Sequence, residues 1–231
     1  MKKIKVGLIG CGAIGSSIAV AIMKKFRDKM TLACLCDPVY PNIENLRKKI
    51  KKNLPNLSIA RLIDRSDLVI EAASVHISDE VALRAIHKNK QVLIMSVGGL
   101  LKIKRLPELI KRSRGRLWMP SGALAGVDGL VAASEGKIRR VLLVTRKHPE
   151  GLRSAPYFKT RRFPAIKGNR EYCVFRGTAR QAVKYFPQNI NVGAILSLAG
   201  IGDVKTKVEL WTSRRFTRNQ HEVLIDGNFG R

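Results

Sequence analysis

Soft metal ligands are scarce in this chain: its 231 residues hold four cysteines and four histidines. Their spacing excludes the usual metal frameworks. No C-x-x-C pair occurs and His76, His87, His148 and His221 are scattered, so no metal site is expected. Cys34 and Cys36 alternate in an apolar run that reads as a strand, which makes buried, reduced thiols simpler than disulfides and points to a reducing compartment. Nine prolines beside 19 glycines argue against extensive low-complexity disorder. Acidic side chains are the largest shortage. Asp plus Glu number 17 against 44 Lys plus Arg, a net charge of +27. The surplus divides as +15 over residues 1–118 and +12 over residues 119–231, so no basic tail carries it. It draws in anionic metabolites, nucleic acid or acidic lipid, and lacks the anions that an ion-pair network needs. Aromatic residues make up only 6% and are not interleaved with the basic ones. With no recognisable RNA or DNA module, specific nucleic-acid binding is not expected.

Long apolar runs are missing too. The eighteen uncharged residues Val6 to Met23, behind Met1-Lys-Lys-Ile-Lys, superficially resemble a signal peptide or membrane span, and Leu8-Ile9-Gly10-Cys11 mimics a lipoprotein box. Yet only ten residues precede Cys11, and the run holds four glycines and two serines. It is better divided at its glycines, and the chain reads as cytoplasmic, with no membrane partner.

What remains is the length and apolar content of one large or two modest domains. Ile4 to Gly10 reads as a strand, Ile14 to Phe26 as a helix and Met30 to Cys36 as a second strand stopped at Asp37-Pro38. Ile43, Leu46 and Ile50 mark a basic helix, Leu68 to Ile70 a strand, Ser78 to Lys88 a helix and Gln91 to Met95 a strand. Alternating βαβ units imply a parallel sheet covered on both faces. After Trp118 the pattern changes. A small-residue turn, Met119 to Gly126, precedes a helix from Val127, a strand Arg140 to Thr145 and a long exposed loop over residues 148–170. A strand near Tyr172, helices Thr178–Phe186 and Ile190–Leu198, and strands Lys205–Trp211 and Gln220–Ile225 follow. The expected organisation is an α/β domain over residues 1–119 and an α+β domain over residues 120–231.

The sharpest local signal is Gly10-x-Gly12-x-x-Gly15 between a strand and a helix, with Asp37 twenty-two residues past Gly15 at the end of the next strand. Gly10 allows the tight turn, Gly12 lets backbone approach a pyrophosphate, and Gly15 permits close helix–strand packing. Ala13 and Ile14 then belong to the cradle at the helix N-terminus, where free N–H groups face phosphates. Asp37 would accept from the adenosine ribose and repel a 2′-phosphate, favouring NAD over NADP. The plainer alternative is a tight βα turn without a ligand. Glu71-Ala-Ala-Ser74 and Ser96-Val-Gly-Gly99 lie at the carboxyl ends of predicted strands, where open sheets bind ligands, or are ordinary turns. His221 is the most interesting titratable residue, because an imidazole passes protons near neutral pH. Asn219 and His221 alternate along a predicted strand and project to one face. From spacing alone a half-buried structural histidine is the plainer account. Asn189 and Asn191 read equally as caps at a helix start.

Five segments in order over nearly the whole chain then carry a resemblance: Gly10-Cys-Gly-Ala-Ile-Gly15, Ser96-Val-Gly-Gly-Leu100, Pro120-Ser-Gly-Ala-Leu-Ala-Gly126, Phe186-Pro-Gln-Asn-Ile-Asn-Val192 with Leu196-Ser-Leu-Ala199, and Asn219-Gln-His221. Together they resemble the L-aspartate dehydrogenase family of nicotinamide-dependent enzymes. The resemblance implies a Rossmann domain followed by an α+β catalytic and dimerisation domain, and a homodimer. It implies oxidative deamination of L-aspartate to iminoaspartate, then oxaloacetate and ammonia, serving NAD biosynthesis, with NAD as cofactor or NADP in its place. The family's catalytic histidine matches His221. Its nicotinamide-side contacts match Ala123, Ala125 and Asn191, while Ser121, Gly122, Asn189 and Asn219 stand as substrate-side candidates. Family members continue through an Asn-Pro-Lys-Thr-Ser-like segment into a final helix, whereas this sequence stops at Phe229-Gly-Arg231. A related two-domain reductase of another dicarboxylate or cyclic imine, and a degenerate dinucleotide-binding protein, are the alternatives.

Overall fold

The computed structural model describes residues 2–187, 191–228 and 230. The chain divides into two compact units, Met1–Pro120 and Ser121–Arg231.

In the first unit, β1 (Ile4–Ile9), β2 (Met30–Cys36), β3 (Leu68–Glu71), β4 (Gln91–Ile94) and β5 (Leu117–Trp118) form a parallel sheet in the order β2-β1-β3-β4-β5. The crossovers are α1 (Ala13–Lys25), α2 (Tyr40–Ile50), α3 (Ile59–Arg65), α4 (Ser78–His87) and α5 (Leu106–Arg112), with a 3-10 turn at Val97–Lys102. Sequence periodicity gave no sign of α3, α5 or β5, which at seven, seven and two residues are too short to show a period. Outside β2, Asn56 makes a single parallel bridge to Leu35, whose N–H and C=O bond to Pro55 and Leu57. That bridge stands where the third strand of a Rossmann sheet runs, so the order is the Rossmann one with that strand reduced to one residue. Val6, Leu8, Leu32 and Leu35 from the sheet pack with Ala19, Ile22, Ile43 and Leu46 from α1 and α2, each at most 3% exposed. The switch point lies between β1 and β3, directly above the glycine-rich turn.

The second unit is a mixed sheet in the order β7-β8-β6-β9, built from β6 (Ile138–Lys147), β7 (Tyr172–Thr178), β8 (Lys207–Thr212) and β9 (Gln220–Gly227). Its helices are α6 (Val127–Ala133), α7 (Glu150–Arg153), α8 (Ala179–Tyr185) and α9 (Asn191–Ala199). Thr178 opens α8 with a capping box, its side chain accepting from the Gln181 N–H while Gln181 accepts from the Thr178 N–H. One face of the sheet, carrying Val141, Leu143, Val208 and Leu210, packs with Leu130, Ala182 and Leu196 of the helices. Residues 148–170 are largely exposed, as their Arg, Pro and Gly content implies, but they are not structureless. They contain α7 and a 3-10 turn at Pro156–Lys159, and Leu152 is fully buried. The Tyr157 ring lies 5.2 to 5.5 Å from those of Phe158, Phe175, Tyr185 and Phe186. A few apolar anchors outweigh polar composition here, because each buried aromatic contributes far more area than a turn residue exposes.

Candidate active site

The glycine-rich turn follows β1 and enters α1. Gly10 has φ +90, and a Cβ there would lie 2.6 Å from the Ala72 carbonyl group, so the turn is pressed against the end of β3. A Cβ on Gly15 would fall 1.9 Å from the Gly10 oxygen. Before Gly12, by contrast, no heavy atom lies within 4 Å. The N-terminus of α1 has no side-chain cap and no acidic residue in its first turn. The first amides of this 13-residue helix, at Ala13 and Ile14, are thus presented to an anion, and Ile14 stands 56% exposed beside them. Open space before Gly12, plus uncapped amides, fits the pyrophosphate of a dinucleotide.

Asp37, only 8% exposed, closes β2. Its Oδ2 accepts from the Cys11 N–H at 2.7 Å and its Oδ1 from the Val39 N–H at 2.8 Å. The carboxylate therefore ties the glycine turn to the neighbouring strand end, a duty invisible in the motif. The Asn42 side-chain amide lies at longer range, 3.5 Å from Oδ1 and 3.4 Å from Oδ2. Burial, the Asp37 charge and neighbouring Cys36 push the Cys11 thiol up to about 12, so it stays protonated and is no nucleophile.

Glu71 is completely buried at the end of β3. Its Oε1 accepts from the N–H groups of Ala73 and Ser74 at 2.8 and 3.0 Å and from the Ser96 hydroxyl at 2.9 Å, while Oε2 accepts from the Ser96 N–H at 3.0 Å. One carboxylate thus fixes both strand-end turns. Gly99 is pressed on Ser78, where a Cβ would meet the hydroxyl at 2.0 Å. Glu71 and Gly99 thus both take part in the packing of these two turns.

In the second unit the core face of the sheet turns polar at one end. Along β6 the residues on that face run Val141, Leu143, Thr145, Lys147, and along β9 they run Ile225, Val223, His221. His221 pairs directly with Thr145, and Thr145 Oγ1 lies 3.0 Å from His221 Nδ1. Thr145 is 1% exposed, so the imidazole is held from a rigid position, and Nε2 has no hydrogen-bond partner among the described residues. Burial, and then the positive charge of Lys147, hold the His221 pKa below its ordinary value. Burial likewise lowers that of the Lys147 ammonium. His221 is thus half-buried, anchored at one nitrogen and favoured in its neutral form, the state in which an imidazole can accept a proton.

Comparison with known proteins assigns the chain. Residues 10–120 match the family described as homoserine dehydrogenase, NAD binding domain, and residues 128–231 that described as aspartate dehydrogenase, C-terminal. An L-aspartate dehydrogenase of Methanococcoides burtonii is 37% identical over 233 residues, covering 98% of this chain and 85% of its own. That of Methanosarcina mazei is 39% identical over 233 residues, covering 99% and 85%. The chain belongs to the L-aspartate dehydrogenase family. Its fold matches a crystal structure of aspartate dehydrogenase from Thermotoga maritima with a TM-score of 0.74 at 24% identity, covering 99% of this chain and 87% of that one. The first unit is accordingly a dinucleotide-binding domain of Rossmann type, and its cofactor class is NAD(P).

Within this family member the other expected site residues of the second unit that the structure describes are exposed. Ser121, Gly122, Ala123 and Ala125 are exposed in the turn before α6, where Gly122 and Gly126 have φ +67 and +77. Asn191 is the exposed first residue of α9. Asn189 lies outside the described residues. Asn219 is exposed one residue before β9. Thr145 and Lys147 were missed. The signal was present in the alternation itself, where a covered strand face changes from Val and Leu to Thr and Lys. Among the described residues no helix is long and apolar enough to cross a membrane, and no three His, Cys, Asp or Glu side chains cluster to hold a metal.

Proposed function

We propose that this protein oxidises L-aspartate with NAD to iminoaspartate, then to oxaloacetate and ammonia. The observation that carries the reading is the His221 imidazole anchored at Nδ1 by Thr145 within a family whose members bear that activity's name. When bound, NAD supplies the acceptor for the hydride that leaves the substrate α-carbon. The turn Gly10 to Gly15, with the Ala13 and Ile14 amides, binds the pyrophosphate, and Asp37 accepts from the ribose. Ala123, Ala125 and Asn191 contact the nicotinamide side, and Ser121, Gly122, Asn189 and Asn219 the substrate. His221, neutral at working pH, takes the proton of the water that attacks the imine and returns it to the departing amine. In this reading the first unit holds the cofactor, the second carries the substrate chemistry and forms a homodimer, and the enzyme acts in the cytoplasm toward NAD biosynthesis.

The test is NADH appearance from NAD and L-aspartate beside L-glutamate, L-alanine and L-malate. Aspartate-selective turnover is expected, and selectivity for another substrate sinks the reading. The same assay run with NADP should give the lower kcat/KM, because a 2′-phosphate would meet the Asp37 carboxylate, already engaged by two backbone amides and unable to swing away. Tighter use of NADP would remove Asp37 from the ribose.

Thr145 supplies a third expectation. Thr145→Val keeps the shape and removes the hydroxyl, so the imidazole loses its anchor and kcat should fall roughly five- to tenfold, the worth of one hydrogen bond. Thr145→Ser should retain most of the rate. Equal rates in the Val and Ser variants would show that the hydroxyl does not position the ring.

A further inference from the structure

The segment behind β6 is one-sided in charge. Residues 148–170 carry six Lys or Arg side chains against the single carboxylate of Glu150. Part of this segment walls a cavity of about 550 Å³ beyond the ends of β6 and β8. Arg153 reaches the cavity from α7, Arg162 from the chain that leads toward β7, and Arg214 from the turn two residues past β8. His148, Glu150 and Phe163 line it as well. Packing holds the walls. The Arg153 guanidinium lies 4.9 Å from the centre of the Phe163 ring, which packs edge-on against Phe158 at 4.7 Å. Arg161 is engaged elsewhere, 4.5 Å over the Tyr157 ring, while its neighbour Arg162 lines the cavity. Ser213, fully buried, donates from its hydroxyl to the Asn169 carbonyl at 2.9 Å and so ties the root of Arg214 to the segment that carries Arg162.

Nearby arginines outside the cavity are paired, Arg215 with Glu171 and Arg146 with Glu222. Glu150 is the one carboxylate among the cavity-lining residues, and its side chain is 87% exposed, 3.9 Å from His148. Three guanidinium charges less that carboxylate leave a surplus of two. The sheet order sets this cavity apart from His221. In β7-β8-β6-β9 its walls follow β6, precede β7 and follow β8, whereas His221 stands on β9, across β6.

We propose that this cavity binds a phosphate monoester, with the phosphate held by Arg153, Arg162 and Arg214 and the organic part against Phe163 and Ile166. Charge, shape and size favour that class. A phosphate monoester carries about −1.5 to −2 near pH 7, which matches the surplus of two, and its three terminal oxygens accept from guanidinium forks in pairs. A carboxylate offers two oxygens and one charge, enough for one arginine. The volume falls within the roughly 300–1,000 Å³ of small-molecule sites and exceeds what a phosphate group fills, and Phe163, Pro164 and Ile166 give the remainder an apolar wall.

The test is calorimetric titration of the full chain with phenyl phosphate at fixed ionic strength, with NAD in excess so that the glycine-rich cradle is filled. Wild type should bind one equivalent. Arg162→Gln/Arg214→Gln removes two exposed cations and should weaken binding about 10- to 100-fold, the worth of charge-assisted hydrogen bonds. Lys24→Gln/Lys25→Gln removes the same charge from the exposed end of α1 and should change it less than about twofold. Arg162→Lys/Arg214→Lys, which keeps the charge and loses the forks, should fall between wild type and the Gln pair. Equal weakening in the Arg and Lys double Gln variants would trace binding to the diffuse field of the chain and overturn the proposal, as would the absence of saturable binding. Inorganic phosphate should bind more weakly than phenyl phosphate because it leaves the Phe163 wall unused; tighter inorganic phosphate overturns the ester, and tighter succinate overturns phosphate altogether. The titration needs no turnover, so its outcome stands apart from whether L-aspartate is oxidised.

Discussion

His221→Ala should lower kcat about 10²- to 10⁴-fold, the usual contribution of a positioned proton-transfer group, while leaving NAD affinity within a factor of about two. The separation follows from the fold. His221 stands on β9 of the second unit, and the dinucleotide cradle is made by β1, α1 and the end of β2 in the first. Removing a half-buried imidazole from a sheet end frees the Thr145 hydroxyl but leaves the core formed by Val141, Leu143, Val208 and Leu210 intact. Turnover surviving in His221→Ala would reduce the residue to the structural role that its spacing alone allows.

The pH dependence carries a definite sign. Burial and the Lys147 charge hold the His221 pKa below the ordinary histidine value, so the free enzyme keeps its base neutral at neutral pH. As pH falls through that lowered pKa the imidazole takes up a proton and kcat/KM should drop, with the midpoint below about 6.5. In His221→Ala this limb should vanish from whatever rate remains. A limb at the ordinary histidine value would mean that neither burial nor the Lys147 charge depresses the imidazole.

The first unit was largely legible in the sequence because its parallel strands, buried on both faces, are continuous apolar runs bounded by glycine and proline. Leu8 and Leu35 announce themselves in this way. Short pieces did not, since α3, α5 and β5 stop before a period can repeat. The candidate site was legible in unequal parts. Gly10, Gly12 and Gly15 form a motif because three separate backbone constraints require glycine at fixed spacing. His221 was visible as a residue type but not as a site, because its meaning depends on Thr145, 76 positions away in sequence and directly opposite in the sheet. Glu71 shows the converse. A carboxylate at a strand end suggests ligand binding, yet its four bonds to Ala73, Ser74 and Ser96 hold the turns themselves. Residues 148–170 are mostly exposed as their composition implies, but composition is an average and does not reveal particular anchors such as Leu152 and Tyr157.

The glycines of the cradle should separate folding from binding when substituted one at a time. Gly12 has no heavy atom within 4 Å of a built Cβ. Gly12→Val should therefore fold with a Tm near wild type, while the added methyls fill space that the pyrophosphate needs. Overpacking of that kind should weaken NAD binding about 10- to 100-fold. Gly15→Ala acts differently. Its Cβ would fall 1.9 Å from the Gly10 oxygen, a backbone atom already fixed by φ +90 and by the contact of Gly10 with Ala72. The turn must then open or α1 must shift from β1, so Gly15→Ala should lower both Tm and NAD affinity. Thermal unfolding with and without NAD separates the two, because a ligand that binds only the folded state raises Tm in proportion to its occupancy. Wild type should show a large NAD-dependent rise, Gly12→Val the same starting Tm with little rise, and Gly15→Ala a lower starting Tm with little rise. Undiminished NAD stabilisation in Gly12→Val would mean that the space before Gly12 is not where the pyrophosphate lies, and would move the anion site away from the N-terminus of α1.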